Sequence, residues 1–192
     1  MTAGHERKKN VIDSAVDARG VSPQVFRDLM AGVCAPVTVV TTMDGDVPVG
    51  ATVSSFASLS LTPPLITVAF DRRSRVLAAI RDTGRFGVNL LGQSQAELAV
   101  LFATRDADRF GRSEWHSDHG LPRLDGAAGW LDCDLSEAVE GGDHLLLLGH
   151  VVGAGRAEYP PLVYAHRMFG THSHYGERLR PLITDALAAL TR

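Results

Sequence analysis

The sequence has little of what several large classes of protein require. It contains only two cysteines, Cys34 and Cys133, too few for a disulfide framework or a cysteine-based zinc site. No apolar run approaches the roughly 20 residues of a membrane-spanning helix, and the start of the chain lacks the apolar segment of a secretory signal. The net charge is -3, without the clustered basic excess typical of nucleic-acid binding. We expect a soluble cytoplasmic protein that binds neither membranes nor nucleic acid.

Several catalytic and binding motifs are also missing. There is no P-loop, no G-x-S-x-G and no complete G-x-G-x-x-G. Residues 153–158 begin like the last motif, but the third glycine is absent and Pro160-Pro161 follows, so no helix can start there. His172 and His174 form H-x-H without an evident acidic or cysteine partner. These observations argue against a Rossmann site, a nucleophilic enzyme and a metal site, and we assign no catalytic acid, base or nucleophile.

What is present fits one globular domain. The chain has 192 residues, of which 45% are apolar and 21% are charged, and that length can bury a core of its own. Residues 1–20 are polar and aperiodic, which is typical of a flexible leader. Residues 21–176 form the expected domain, and residues 177–192 the expected C-terminal helix and tail.

The first predicted helix begins at Ser22-Pro23, because serine caps helices and proline suits the first helical turn. Gly32 is expected to end it. Between them lies an apolar stripe at helical spacing, formed by Val25, Phe26, Leu29 and Met30. This pattern predicts a helix that packs over the rest of the domain.

Two further short helices are predicted from capping residues. Ser74 should begin one that Gly84 ends. Ser94 should begin the other, which carries Leu98, Leu101 and Phe102 at core spacing. Residues 103–126 are charged and aperiodic, and we expect a long surface loop there.

The remaining pattern predicts strands joined largely by tight turns. The expected strands are residues 37–42, 47–53, 65–70, 86–91, 130–139, 144–152 and 162–169. Asp44-Gly45 and Gly141-Gly142 supply hairpin turns, and Pro48 favours an edge position or a bulge in its strand. Hairpin links with brief helices argue against alternating βαβ units. They favour a mainly β fold, a small antiparallel barrel with short flanking helices.

The stretch from Val47 to Arg75 carries the strongest signal for a ligand. Gly50 permits close backbone approach, and the Ser and Thr residues after it offer short hydrogen bonds. The basic cluster that follows, Arg72, Arg73 and Arg75, offers bidentate contacts to phosphate. These features suit a planar ligand with a phosphate. They are equally typical of a polar hairpin followed by a solvated run of charge.

His144 is the other candidate, because it follows Gly-Gly-Asp and starts a strand. That position aims it at the rim of a barrel, where it could meet a ligand. A histidine in a surface turn would have the same sequence context.

Taken together, these segments resemble the short-chain flavin reductases, which are the reductase components of two-component flavin-dependent monooxygenases. The resemblance spans residues 26–169. It is carried by the blocks V-T-V-V-T-T, D-G-D-V-P-V-G-A-T-V-S-S-F, S-L-S-L-T-P-P-L-I-T-V-A-F-D-R-R-S-R, G-R-F-G-V-N-L-L, F-A-T-R-D-A-D-R-F, G-G-D-H and P-L-V-Y. Any one block is weak, but their order and spacing are specific.

The resemblance implies an FMN-binding split β-barrel, antiparallel and Greek-key-like, that forms a homodimer. It implies hydride transfer from NADH or NADPH to FMN or FAD, with the reduced flavin diffusing to a separate monooxygenase. Two alternatives remain open. The barrel could bind or shuttle flavin without NAD(P)H turnover, or it could serve another biosynthetic reaction.

The resemblance also implies which residues bind the cofactors. Those expected at the flavin are Pro48, Val49, Gly50, Ala51, Thr52, Ser54, Ser55, Ala69, Phe70, Asp71, Arg75, Leu101 and Phe102, with Arg75 at the phosphate. Those expected at the nicotinamide are His144, Tyr164, His166 and Arg167. The chain departs from the family pattern after P-L-V-Y, where it has Ala165-His166-Arg167.

Overall fold

The structure is a computed structural model, and it describes residues 20–105 and 108–172. The expected leader, apart from Gly20, lies outside these ranges, as do His174 and the expected C-terminal helix. Within the described ranges no helix is long and apolar enough to cross a membrane.

Within the described ranges the chain forms short helices and many strands. The helices are α1 (Pro23–Ala31), α2 (Arg75–Thr83) and α3 (Ala96–Ala103), with a 3-10 turn at Gln93–Gln95. The strands are β1 (Ala35–Pro36), β2 (Thr38–Asp44), β3 (Val47–Val53), β4 (Ala57–Leu61), β5 (Pro64–Asp71), β6 (Arg85–Leu90), β7 (Trp115–Asp118), β8 (Leu121–Leu124), β9 (Gly129–Gly141), β10 (His144–Arg156), β11 (Val163–Ala165) and β12 (Met168–Gly170).

The main sheet has seven strands in the order β3-β2-β6-β9-β10-β5-β4, and every adjacent pair is antiparallel. It is not closed by hydrogen bonds, so β3 and β4 are its two edges. Two small sheets, β1-β11-β12 and β7-β8, complete the fold. The predicted mainly β, split-barrel architecture with short helices is confirmed, and so is the edge position of Pro48.

The core consists of two clusters. The larger joins the inner face of the main sheet to α2, through residues such as Val68, Ile80 and Phe86. The smaller lies beneath α3 and includes Phe102 and Leu124. The two clusters fix α2 and α3 in position against the sheet, and these helices border the candidate site.

Helix α2 forms as its capping residues predict. Ser74 Oγ accepts a hydrogen bond from the Leu77 N–H at 3.4 Å, and Gly84 ends the helix in the left-handed conformation with φ of 71°. The apolar residues of α2 are buried, among them Val76, Leu77 and Ile80.

The start of α3 differs from the prediction. Ser94 lies inside the 3-10 turn and does not cap the helix. Instead, the Gln95 side-chain oxygen accepts a hydrogen bond from the Gly92 N–H at 2.9 Å. This bond closes the 3-10 turn that precedes α3, and α3 itself has no side-chain cap.

The expected surface loop at 103–126 contains the β7-β8 hairpin. Leu121 and Leu124 are buried, and the Leu124 N–H donates to Asn89 Oδ1 at 2.8 Å. The segment lacks periodicity because short strands and tight turns replace any longer regular element.

The observed strands differ from the predicted ones at two further places. Strand β4 was missed because its Ser-rich sequence has no apolar alternation that marks a buried face. The expected final strand is broken into β11 and β12 by His166 and Arg167, whose φ values are 52° and 60°. Among non-glycine residues histidine is enriched at positive φ, but arginine is not, and the sequence offers no Gly, Asn or Asp there to mark a turn.

Helix α1 begins and ends as predicted, but its apolar face does not pack on the domain. Ser22 Oγ accepts from the Val25 N–H, and Gly32 is the C-cap. However, Phe26 is 56% exposed and Leu29 is 67% exposed, and no residue of α1 is buried. The predicted amphipathic helix is confirmed. The prediction that its apolar face packs over the rest of the domain is wrong.

Candidate active site

A groove runs between β3, the β5–α2 junction and the end of α3. It has two lobes, with volumes of about 640 Å³ and 700 Å³. The lobes share Arg73, Arg75, Val76, Arg105 and Arg109, so they form one continuous site. Each lobe lies within the usual size range of a ligand pocket.

Local contacts draw these segments together. The Thr52 hydroxyl donates to the Ala99 carbonyl at 2.6 Å, which ties β3 to α3. Arg109 Nη1 donates to the Gly50 carbonyl at 2.5 Å, and its Nε and Nη2 donate to the Thr104 carbonyl at 3.2 and 2.8 Å. The loop after α3 is therefore held against the edge strand β3.

Most of the predicted flavin residues line this groove. The first lobe includes Pro48, Val49, Gly50 and Arg75. The second includes Ala51, Thr52, Ser54, Ser55, Ala69, Phe70, Asp71, Arg75 and Phe102. His144, which was predicted at the nicotinamide, also lines the second lobe. Residues separated by more than ninety positions in the sequence thus meet on one surface.

Four guanidinium groups dominate the charge of the groove. Arg75 forms an ion pair with Asp44 at 2.8 Å, and Arg73 forms one with Asp71 at 2.9 Å. Hydrogen bonds from Arg73 hold the pKa of the Asp71 carboxyl well below its usual range. Arg105 has no hydrogen-bond or ion-pair partner among the described residues. An anionic ligand would find several donors here.

Arg72 was grouped with the basic cluster, but it lines neither lobe. Its Nε donates to the Gly142 carbonyl at 3.0 Å, and its guanidinium pairs with Glu140. Its contacts therefore support the turn between β9 and β10.

His144 does lie at the groove. It opens β10 directly opposite Asp71 of β5, and its Nδ1 is 2.7 Å from Asp143 Oδ1. Hydrogen bonding to this imidazole lowers the pKa of Asp143. Asp143, in the turn, therefore holds the His144 imidazole in place. The position of His144 on the groove wall agrees with its predicted position at the rim.

Four predicted residues lie elsewhere. Leu101 packs with the smaller core cluster. The Tyr164 ring contacts that of Phe169, with ring centroids 5.1 Å apart and planes tilted by 56°. The His166 N–H donates to the Ala31 carbonyl at 2.5 Å, and Arg167 pairs with Asp28 at 2.8 Å. The last two therefore contact α1, and none of the four lines either lobe.

Sequence reasoning missed Arg105 and Arg109. Both lie in the F-A-T-R-D-A-D-R-F block, of which only the first residue, Phe102, was predicted at the site. Two arginines spaced four apart after a helix were the available signal. Their charge had been attributed to a solvated loop.

The groove suits a flavin nucleotide. The guanidinium groups match a phosphate, and the Ser54 hydroxyl matches a ribityl chain. The wall of the second lobe includes the apolar residues Val53, Phe70 and Phe102, which are 6%, 4% and 0% exposed. The described residues contain no cluster of three or more His, Cys, Asp or Glu that could hold a metal ion.

Comparison with known proteins decides the family. The flavin reductase like domain matches residues 30–173, most of the chain. This chain belongs to the flavin reductase family. The predicted resemblance is confirmed, and with it the class of enzyme, an oxidoreductase that reduces flavin with a nicotinamide cofactor.

Individual members of the family are closely similar. The reductase subunit HsaB of a flavin-dependent monooxygenase from Rhodococcus jostii is 39% identical over 161 residues, covering 82% of this chain and 83% of HsaB. The reductase component of a 4-nitrophenol 4-monooxygenase/4-nitrocatechol 2-monooxygenase from Rhodococcus opacus is 39% identical, covering 76% and 78%.

Solved structures of family members have the same fold. The NADH:FAD oxidoreductase SgcE6 of Streptomyces globisporus, in complex with NAD and FAD fragments, superposes with a TM-score of 0.76. It is 29% identical and covers 83% of this chain and all of its own. These relatives are reductases, several of them components of monooxygenase systems.

Proposed function

We propose that this flavin reductase oxidises NADH or NADPH, reduces FMN or FAD in the groove, and releases the reduced flavin to a separate monooxygenase. The observation that carries the proposal is the convergence of four guanidinium groups with the hydroxyl-bearing end of β3 on one groove. Such a surface recognises a phosphate and a polar chain attached to a ring. Because reduced nicotinamide is kept inside cells, the proposal places the enzyme in the cytoplasm.

Different residues of the groove contact different parts of the flavin nucleotide. Residues 48–55 contact the flavin ring and ribityl chain, and Arg75 contacts the phosphate. Phe70 and Phe102 exclude water from the ring. Arg109 fixes the Gly50 carbonyl and so holds the backbone of β3 in place beside the ligand.

When bound, flavin would supply the redox chemistry, as the acceptor of a hydride from the nicotinamide. The residues of the chain orient the two reactants so that this transfer becomes effectively unimolecular. His144, held by Asp143, is the nicotinamide contact that the groove offers. Roles for Tyr164, His166 and Arg167 in nicotinamide binding remain a prediction.

We also propose that the enzyme is a homodimer. The support is the exposed apolar face of α1, together with Met168 and Phe169, which are 67% and 38% exposed. Exposed apolar patches of this kind mark protein–protein contacts. An isologous dimer would bury the same patch on both subunits.

A second candidate function is flavin binding without NAD(P)H turnover. It is favoured by one observation: Tyr164, His166 and Arg167, expected at the nicotinamide, line neither lobe. In that case the groove would hold flavin for another protein, with no hydride donor beside it.

Absorbance at 340 nm separates the two candidates. The purified protein is mixed with NADH or NADPH, with FMN, with FAD, or with no flavin. The reductase predicts loss of reduced nicotinamide that depends on flavin, together with flavin binding measured by fluorescence. Flavin binding with no loss of either nicotinamide would support the second candidate and overturn the first.

A further inference from the structure

Arg75, the proposed phosphate contact, is already engaged by a carboxylate of its own chain. Arg75 is the first residue of α2, and Asp44 is the last residue of β2. Arg75 Nε and Nη2 both donate to Asp44 Oδ2, at 3.1 and 2.8 Å. The two side chains are partly exposed, at 69% and 46%.

This contact occupies the part of the guanidinium that a phosphate needs. Nε and Nη2 together form one edge of the guanidinium fork, which binds carboxylate and phosphate oxygens in the same way. A phosphate that takes this edge must displace Asp44. One that keeps to the remaining N–H groups must lie beside the Asp44 carboxylate and experience its repulsion.

We propose that Asp44 is an internal competitor for the flavin phosphate, which weakens flavin binding and speeds release of the product. The inference rests on the proposed function and on Arg75 as the phosphate contact. When the nucleotide leaves, the guanidinium returns to Asp44, so release does not leave it unpaired. An enzyme that must hand its reduced flavin to another protein benefits from such an exchange.

The size of the effect follows from the exposure of the pair. Ion pairs between partly exposed side chains contribute little, and removal of the competitor should tighten flavin binding by about two- to fivefold. The effect requires a phosphate on the ligand. Riboflavin, which has the same ring and ribityl chain, should bind equally well with or without the Asp44 charge.

The chain offers a matched control two residues away. Asp46 lies in the same hairpin turn, and it forms no ion pair or side-chain hydrogen bond among the described residues. Asp46→Asn therefore removes the same charge from the same turn and leaves the Arg75 contact intact. It therefore measures how much of any change comes from the loss of long-range repulsion between a carboxylate and the phosphate.

The test is fluorescence titration with FMN and with riboflavin, and stopped-flow measurement of FMN dissociation. Asp44→Asn should lower the Kd for FMN about two- to fivefold, slow FMN dissociation, and leave riboflavin unchanged. Asp46→Asn should change FMN affinity much less. An Asp44→Asn enzyme whose FMN affinity is unchanged or weaker, or equals that of Asp46→Asn, overturns the inference.

The variant Arg75→Ala distinguishes two failures: Asp44 does not compete with the phosphate, or Arg75 does not contact the phosphate. This variant should weaken FMN binding at least tenfold through loss of a charged hydrogen bond. If it does so while Asp44→Asn has no effect, the competitor role is wrong and the phosphate contact stands. If Arg75→Ala leaves FMN affinity unchanged, the phosphate assignment itself is wrong and the inference falls with it.

Discussion

The Ser55 hydroxyl is bonded to both polar backbone groups of Ala69. It accepts a hydrogen bond from the Ala69 N–H at 2.8 Å and donates to the Ala69 carbonyl at 3.1 Å. A hydroxyl can do both at once because it has one donor and two acceptor positions. These two hydrogen bonds attach the segment after β3 to β5 near its C-terminal end, on the wall of the groove. Ser54, its neighbour, has no hydrogen bond among the described residues and also lines the groove.

The two serines should therefore respond differently to alanine. Ser55→Ala should lower the free energy of unfolding by about 1 kcal/mol, because it removes the pair of bonds to Ala69. Ser54→Ala should leave stability nearly unchanged and weaken flavin binding. Urea unfolding and flavin titration of both variants check this. Equal stability losses in the two variants would show that the hydrogen bonds between Ser55 and Ala69 do not stabilise the fold.

A second prediction concerns Arg85 and the buried carboxylate of Asp132. Arg85 Nη2 lies 3.0 and 2.9 Å from the two Asp132 oxygens, and the Asp132 side chain is only 4% exposed. Arg85→Ala leaves that carboxylate without its main partner, so we expect a loss of about 1.5–3 kcal/mol in the free energy of unfolding.

The control for Arg85 is Arg81→Ala, on the exposed face of α2, where no ion pair forms among the described residues. Denaturant unfolding should show little change in that variant. A loss of similar size in both would argue that the Arg85–Asp132 pair adds nothing.

The two cysteines should differ in chemistry. Cys133 is buried, and burial, with the charges of Asp132 and Asp134 beside it, raises its pKa from 9.0 to about 12. Cys34 is exposed. In the folded enzyme a thiol reagent should modify Cys34 quickly and Cys133 only after unfolding.

The raised pKa of Cys133 also sets a pH dependence. Above about pH 9 the unfolded thiol loses its proton while the folded one keeps it, so this group's contribution to stability declines as pH rises toward 12. Cys133→Val should show a shallower decline in unfolding free energy between pH 8 and 10.5, whereas Cys34→Ser should follow the wild type. Parallel curves for all three proteins would contradict the shift.

The exposed face of α1 predicts the oligomeric state. Leu29→Asp places a charge at a position that is 67% exposed in the single chain but buried in the proposed homodimer. Light scattering after size exclusion should show a dimer for the wild type and a monomer for this variant. Val100→Asp, at an exposed position on α3, should remain dimeric. A wild type that is already monomeric would refute the dimer.

Elements specified by local chemistry were predictable from the sequence. Helix α2 has its cap at Ser74 and its stop at Gly84, because both signals act within one turn of the helix. The amphipathic pattern of α1 was equally clear. However, periodicity shows only that one face of the helix is apolar. It does not show which surface, of the same chain or of another, covers that face.

The rest depended on contacts distant in sequence. The break at His166 and Arg167 accompanies their contacts with α1, 135 or more residues earlier. Within the site, residues 48–55 and Arg75 were found because they share one short segment. Arg105 and Arg109 were missed because only the packing of α3 on β3 brings them to the groove.

The central claim is that flavin is bound and reduced in this groove. It is tested most directly by flavin-dependent oxidation of NADH, followed at 340 nm, in Ser54→Trp and Ser58→Trp. Ser54 lines the groove, whereas Ser58 is exposed on β4 and does not. An indole at 54 should fill space the flavin needs. We predict at least a tenfold loss of rate in Ser54→Trp and a rate near wild type in Ser58→Trp. Full activity in Ser54→Trp, with flavin affinity unchanged, would contradict the claim.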